Sequence, residues 1–546
     1  MAVKRSESPL EKIHQRELEF LGSAGVDLDG AIRGSRLMDA TECPFMITER
    51  PYGMGTNAGV QIPATGPVKV IRSVGTDIAH RGDIAEKVKP GDIVVFTVEA
   101  LERFGDRFLP YWVALEKGAT GIIDQRGSAI DHGPAAAKEW GIPVVVGVGP
   151  SFPNLEGRQV TIYKGFVLPP TIKHADLGYR PFDFEKAELD RTLARRPADG
   201  TRFMLNLAFP EVITHAPELA AMSDGVGFLR TEFIWIALCK GVHPMRVLEE
   251  KGAEFLINGL KDRFRRILDF FGGRNEDAKM IWFRTQDMGA DLLRSLEHGD
   301  KYERYWETNP GMGVRGSRRR GEMGLWGVEA IALRELSGEG YRNIGLFPPM
   351  IASAEDFRWW DELYFRRAGL RGLVKEGIMI EIAGAAVDFH RIVKVIDTEM
   401  TDEIKKREPE GVAKFRAENG KNYDELRKIF RLDWVILGTN DYSQSLMLAD
   451  RTIPELQPMT NILKPPLFDS LAMLIHQATV LGIPTAIGGQ AGSNPEVIKA
   501  FRPFGLTAAS VNPDRRTLAE MVQAMVPWDT EFYPGLRRTI TNGGLE

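Results

Sequence analysis

Cysteine is almost missing from this chain: Cys43 and Cys239 are the only two in 546 residues. That excludes a disulfide framework and a cysteine-built zinc site. No stretch approaches about eighteen uninterrupted apolar residues, so a membrane span is not expected. The opening segment, MAVKRSESPLEKIHQRE, lacks the apolar core of a signal peptide, and the expected compartment is cytoplasmic. Positive charge is not in excess either. Seventy Lys and Arg face 75 Asp and Glu, a net charge of −5, which argues against a nucleic-acid binder. The run Arg318-Arg319-Arg320 is too short to reverse that.

What is there is the make-up of an ordinary globular protein, 43% hydrophobic and 27% charged, long enough for several units. Residues 1–59 read as an N-terminal extension, helical over 9–21. The glycine-rich Tyr52–Gly59 reads as a loop, because it lacks the preceding strand and the Lys-Ser/Thr ending of a phosphate loop. Residues 60–168 read as a small α/β unit. Its segments are the strands GPVKVIRS and KPGDIVVF, a helix near 108–118, the segment around His132 and the closing strand GRQVTIYKG. Residues 169–200 are polar and suit a linker, with a helical stretch at 185–195. From 201 to 546 apolar strands alternate with helical stretches, the signature of βα units around a parallel sheet. The spacing predicts eight strands, Phe203–Leu207, Val226–Leu229, Met280–Phe283, Asn343–Phe347, Ile378–Ile382, Trp434–Leu437, Thr485–Ile487 and Ala508–Val511, hence a C-terminal (β/α)8 TIM-type barrel. A charged, helical insertion at 397–431 would serve as a lid or a partner contact, or else form a solvated helical hairpin.

Two constellations carry chemistry. In GIIDQRGSAIDHGPAAAKEWGIPVVVG (121–147) a strand leads through a small-residue loop to His132, then to a helix and a second strand. Pro134 suits a helix's first turn, which places His132 beside unpaired N–H groups that favour an anion. Taken alone, the segment serves a helix-capping histidine as well as a phosphoryl carrier. The second constellation lies just past the predicted barrel strands, where active sites of this fold are built: Arg230-Thr231-Glu232, Arg284-Thr285-Gln286-Asp287, Glu381, Gly438-Thr439-Asn440-Asp441 and Gly489-Gln490. Glu381 and Asp441 are a carboxylate pair suited to Mg²⁺, which keeps waters and takes other ligands from substrate. Arg230, Arg284 and Arg315 suit a transferring phosphoryl group, because the guanidinium fork follows charge across its oxygens.

These motifs together resemble the phosphoenolpyruvate-utilising enzymes: phosphoenolpyruvate synthase, pyruvate phosphate dikinase and Enzyme I of the sugar phosphotransferase system. GVGFLRTEF, FRTQDMGAD, NPGMGVRGSR, MIEIAG and LGTNDYSQ are similar to that family's arginine and metal-binding segments, in the family's order. His132 precedes Gly141 of GIPVVVG at the family's spacing for the phosphorylated histidine, although Ile130-Asp131 and Gly133-Pro134 replace the usual neighbours. The resemblance implies a swivelling phosphohistidine domain ahead of the barrel, with His132, Arg230, Arg284 and Arg315 catalytic. Asn440, Thr439, Gln490 and Gly488 would line the substrate site, and Glu381 and Asp441 would hold Mg²⁺.

Three departures shape the expected function. The ATP-grasp domain of synthase and dikinase does not precede the swivelling unit, nor does Enzyme I's helical insertion. The insertion at 397–431 separates the strands of Glu381 and Asp441. Gly488 stands where the family places the cysteine that protonates the enolpyruvate carbon, which suggests a gap open to a bulkier acceptor. The leading expectation is a phosphotransferase that receives its phosphoryl group from a separate ATP-grasp subunit. It would pass the group through His132 to a small hydroxylated, even phenolic, acceptor, and it would associate into an oligomer through the barrel. Two alternatives stay open: a synthase- or Enzyme I-like enzyme acting on phosphoenolpyruvate or pyruvate, and a non-catalytic regulatory relative.

Overall fold

A computed structural model of the chain describes residues 51–172, 200–407 and 431–524, apart from short stretches within them such as 73–83, 102–107, 127–131 and 320–322. The expected helices at 9–21 and 185–195, and the insertion beyond residue 407, lie outside the described residues.

The first unit is an eight-stranded sheet in the order β1-β8-β7-β3-β4-β5-β6-β2. At its centre β3 (Ala64–Ile71), β4 (Ile93–Phe96), β5 (Gly121–Asp124) and β6 (Val144–Val146) run parallel. IVVF, GIID and VVV are buried at every position, as strands covered on both faces must be. Helices α1 (Phe108–Glu116) and α2 (His132–Glu139) make the crossovers that parallel neighbours require. β7 (Gln159–Tyr163) and β8 (Phe166–Leu168) return antiparallel. The segment read as a loop contains two short strands: β1 (Gly53–Met54) pairs with β8 and β2 (Thr56–Asn57) with β6. Their pairing comes from sheet edges supplied far along the chain. GM and TN carry no apolar alternation that could announce it.

The second unit is a closed barrel of eight parallel strands, β9 (Arg202–Leu207), β10 (Val226–Arg230), β11 (Ile281–Arg284), β12 (Ile344–Phe347), β13 (Lys375–Ile380), β14 (Trp434–Gly438), β15 (Thr485–Gly488) and β16 (Ala508–Val511), with β16 closing on β9. All eight expected strands are present, shifted by a few residues at most. Outside them run α3 (Thr231–Cys239), α4 (Pro244–Phe270), α5 (Met323–Gly338), α6 (Ala354–Asp361), α7 (Phe389–Arg407), α8 (Thr439–Met447) and α9 (Leu467–Val480). α7 enters the predicted insertion without a break, so residues 397–407 continue a barrel helix.

Met204, Phe228, Trp282, Phe347, Met379, Trp434, Ile436, Ala486 and Ala508 fill the interior. Large and small side chains interdigitate there because the barrel has no room for eight bulky ones per layer. Trp282 shows this best. Its indole stacks on Trp434 with centroids 5.3 Å apart and planes 11° from parallel, although β12 and β13 lie between their strands. Gly345 and Gly377 supply the room: a Cβ on Gly345 would stand 2.7 Å from Cδ2 and Cζ3 of that indole, and one on Gly377 3.0 Å from Cζ3.

Candidate active site at the barrel mouth

The C-terminal ends of β10, β11, β13, β14 and β15 bring the candidate residues to one rim. Arg284 ends β11 and is buried. Its guanidinium pairs with Glu232, in the first turn of α3, and with Asp287 at 3.1 Å. Arg315 closes the same group from the other side, donating through Nε to Asp287 Oδ1 at 3.0 Å and through a terminal nitrogen to Oδ2 at 2.6 Å. Asp287 therefore bridges two guanidiniums, and the fork-to-carboxylate geometry fixes the plane of Arg315. Burial works against both charges. Asp287 and Asp441 around Arg315, and Glu232 and Asp287 around Arg284, more than offset it, so both arginines are held above their ordinary range. Arg230 ends β10 and stands over the Phe228 ring at 5.1 Å, with Arg284 over the same ring at 5.0 Å.

Glu381 follows β13 and is 1% exposed. Its Oε1 accepts the backbone N–H of Met350 at 2.7 Å. Met350 has a φ of 54°, a left-handed conformation uncommon for a side-chain-bearing residue, and it aims the N–H at the carboxylate. Burial, then the nearby Asp441 and Asp287 carboxylates, raise the Glu381 carboxyl to about 8, against Arg284 and the Met350 N–H. Asp441 lies in the first turn of α8, whose N-terminal end favours its charge. Thr439 opens that helix and donates to the Gly488 carbonyl at 2.9 Å, tying the β14 end to the β15 end. Asn440 and Thr439 crowd the place where a Cβ on Gly489 would sit, 3.1 Å from each side-chain oxygen, and Gly489 holds a φ of 76°. Gln490 is exposed just beyond. His132 belongs to the other unit, at the first residue of α2.

Gly488 corrects an expectation. Its missing side chain does face the interior, but the space is not open: a Cβ there would meet Ile436 Cδ1 at 3.1 Å and Cγ1 at 3.3 Å. A side chain at 488 fits only if the end of Ile436 on the neighbouring strand gives way by a few tenths of an ångström, so the gap is narrower than expected. Cys239 offers no replacement. It ends α3 away from the mouth, and burial pushes its thiol up to about 12.

Sequence reasoning placed Glu232 and Asp287 among the polar residues at the strand ends without giving either a role, and it missed Met350. Asp287 lay in the quoted RTQD motif and could have been weighed as the partner of two arginines; nothing local marks Met350. Glu232 Oε2, Arg284 Nε and Gln286 Nε2 are buried without hydrogen-bond partners, an arrangement that a polar ligand would complete. No set of three or more His, Cys, Asp or Glu forms a metal cage among the described residues. The hard oxygen donors Glu381 and Asp441, the second close enough to raise the proton affinity of the first, fit a Mg²⁺ that draws its remaining ligands from water and substrate.

A buried pair of arginines about one aspartate, beside two facing carboxylates at the mouth of a parallel barrel, defines a barrel built to handle a small anion. Residues 185–398 and 424–525 match the family described as "PEP-utilising enzyme, PEP-binding domain", and residues 106–163 match "PEP-utilising enzyme, mobile domain". The chain belongs to the family of phosphoenolpyruvate-utilising enzymes. It is 28% identical over 467 residues to a protein named probable phosphoenolpyruvate synthase from Archaeoglobus fulgidus, covering 85% of this chain and 52% of that one. It is 27% identical over 452 residues to phosphoenolpyruvate synthase of Pyrococcus furiosus, covering 80% and 48%. The chain thus spans about half the length of the curated relatives it matches. Among solved structures, a malate synthase lead(II) complex from Haloferax volcanii is 14% identical and covers 63% of this chain and 79% of that one, at a TM-score of 0.31, too low to carry an argument.

Proposed function

We propose that the chain is a phosphotransferase that carries a phosphoryl group on His132 and delivers it, at the barrel mouth, to a hydroxyl oxygen of a small acceptor. The observation that carries this reading is the contrast between two parts of the mouth. The anion-handling set is complete, with Arg284 and Arg315 locked about Asp287 and Glu381 facing Asp441. Position 488 offers no acid for carbon chemistry, and Cys239 is buried elsewhere.

In the transfer, the phosphorus–nitrogen bond to His132 breaks as the bond to the acceptor oxygen forms. The hydroxyl proton leaves to a nearby base or water. Arg230, Arg284 and Arg315 hold the equatorial oxygens, whose charge the guanidinium forks follow. Asp287 keeps Arg315 planar to the task, and Asn440 offers neutral donors. Mg²⁺ held by Glu381 and Asp441 would supply charge neutralisation of the phosphoryl oxygens. The donor we propose is a separate ATP-grasp subunit. The acceptor class is hydroxylated or phenolic, its size limited by Ile436, and association would run through the barrel.

The names of the relatives support a second reading, synthesis or use of phosphoenolpyruvate. That reaction requires a proton to leave or return to the pyruvate methyl carbon, a step to which a placed acid or base contributes about 10²- to 10⁴-fold. Pyruvate incubated with the protein and Mg²⁺ in heavy water distinguishes the two. The expected result is no methyl deuteration above the enzyme-free control, together with phosphorylation of a phenolic acceptor when ATP and the partner are supplied. Rapid deuteration would overturn the hydroxyl-acceptor reading.

A further inference from the structure

At the barrel end opposite Glu381 and Asp441, a cavity of about 740 Å³ opens among the N-terminal ends of β9, β11, β13 and β14 and the side of α7. That volume is within the range of small-molecule sites. The five residues of β14 put this cavity roughly 15–20 Å from the mouth at the usual rise per residue, so the two sites do not merge.

The cavity has a charge imbalance built into it. Arg202, Lys375 and Arg431 face Asp397 and Asp433, three positive charges against two negative. Arg431 pairs with Asp433 at 2.5 Å and Lys375 approaches the same carboxylate at 3.6 Å. Arg202 is the remaining cation. Its guanidinium lies over the Trp434 ring at 5.0 Å and makes no ion pair or side-chain hydrogen bond among the described residues. Burial alone shifts it, downward, since no carboxylate stands near enough to offset the loss of water. Trp434 also lines the cavity, is 1% exposed, and its indole N–H is buried without an acceptor. The indole N–H is closed off from the cavity, but the half-buried guanidinium, a donor without a protein partner among the described residues, is open to an acceptor that the protein itself does not provide.

We propose that this cavity is a binding site for a small aromatic carboxylate, separate from the barrel mouth. The charge of the ligand follows from Arg202, the cation of the lining that makes no ion pair among the described residues: one guanidinium balances a monoanion and not a phosphate dianion. Its shape follows from Arg202, whose face is taken by Trp434 and whose N–H edges remain to grip a planar carboxylate through two bonds. The apolar body of the ligand has Ile396, Leu432 and Ile483 to pack on.

Calorimetric titration of the full chain with 2-naphthoate tests the proposal, with 2-naphthylmethanol as the neutral isostere and 2-naphthyl phosphate as the dianion. Naphthoate should bind one to one, and about tenfold or more tighter than the alcohol. Arg202→Gln should lose about tenfold or more, while Arg230→Gln at the mouth keeps the affinity. Leu481→Trp, on the exposed rim of the cavity, should obstruct entry without touching the core, and it decides the matter if Arg202→Gln does not fold. The proposal is overturned by the absence of saturable naphthoate binding at millimolar concentration. It is equally overturned by phosphate binding tighter than naphthoate at this site, or by an affinity that ignores Arg202→Gln and Leu481→Trp but disappears in Arg230→Gln.

Discussion

Replacing Gly345 by alanine tests how the barrel interior is built. Gly345 has ordinary strand backbone, so the substitution is permitted by φ and ψ and acts through one methyl group. That methyl would stand 2.7 Å from two carbons of the Trp282 indole, well inside van der Waals contact. Trp282 is 3% exposed and cannot swing out without giving up its stack on Trp434. Overpacking of this kind costs about 1–3 kcal/mol, and losing an aromatic pair about 0.5–1.5 kcal/mol more. A less flexible unfolded chain returns about 0.4–1 kcal/mol. The net is a destabilisation of about 1–4 kcal/mol, several degrees in Tm for a domain of this size at about 2 °C per kcal/mol. Urea unfolding, followed by near-ultraviolet circular dichroism in the tryptophan band, reads both the stability and the stack. Adding Trp282→Phe to Gly345→Ala should recover part of the loss, a non-additive pair expected of residues in contact. A Gly345→Ala protein as stable as the wild type, with an unchanged tryptophan band, would refute the packing argument.

Three further outcomes are expected. Asp287→Ala removes the shared partner of Arg284 and Arg315, leaving Arg284 with Glu232 and Arg315 without the carboxylate that takes its fork, and should cost about 3–5 kcal/mol by chemical denaturation; a loss under about 1 kcal/mol would show the bridge to be dispensable. Arg371 holds Asp361, Glu376 and Glu399 together, and burial, then mutual repulsion for Asp361 and Glu399, raises each of the three carboxyls to about 7. A raised folded-state value means that the folded protein binds the extra protons, so the stabilisation is complete below the ordinary carboxyl range and is lost as pH rises through about 7. The urea midpoint should accordingly fall between about pH 4 and 7, the span of the shift, and Glu399→Gln should flatten that slope; an unchanged slope would remove the cluster as its cause. Finally, His132→Ala should abolish acid-labile, base-stable phosphoryl labelling of the chain by ATP and the proposed ATP-grasp subunit, and persistent labelling would move the carrier to another residue.

Much of the architecture follows from the sequence alone, because it depends on neighbours within a few residues. Each barrel strand is a short apolar run, buried on both faces in a parallel sheet, and such runs stand out between helical segments whatever their partners. The start of α2 at His132 was legible for the same reason, since Pro134 acts on its own turn. Polar residues just past strand ends pointed to the rim, because parallel strands all deliver their C-terminal ends to one face. What only the tertiary structure decided depends on groups brought from far along the chain. The strands at Gly53–Met54 and Thr56–Asn57 exist because β8 and β6 present free edges. Asp287 bridges Arg284 to Arg315, which arrives from a separate loop, and Met350 turns its N–H onto Glu381 from the end of the neighbouring strand. Ile436 narrows the space beside Gly488 because β14 and β15 are neighbours, which nothing near Gly488 announces. Arg202 and Trp434, 232 positions apart, meet at the barrel floor only because both side chains point inward from strands that closure brings face to face. Local pattern specifies which elements form, and closure of the barrel decides which side chains share a space.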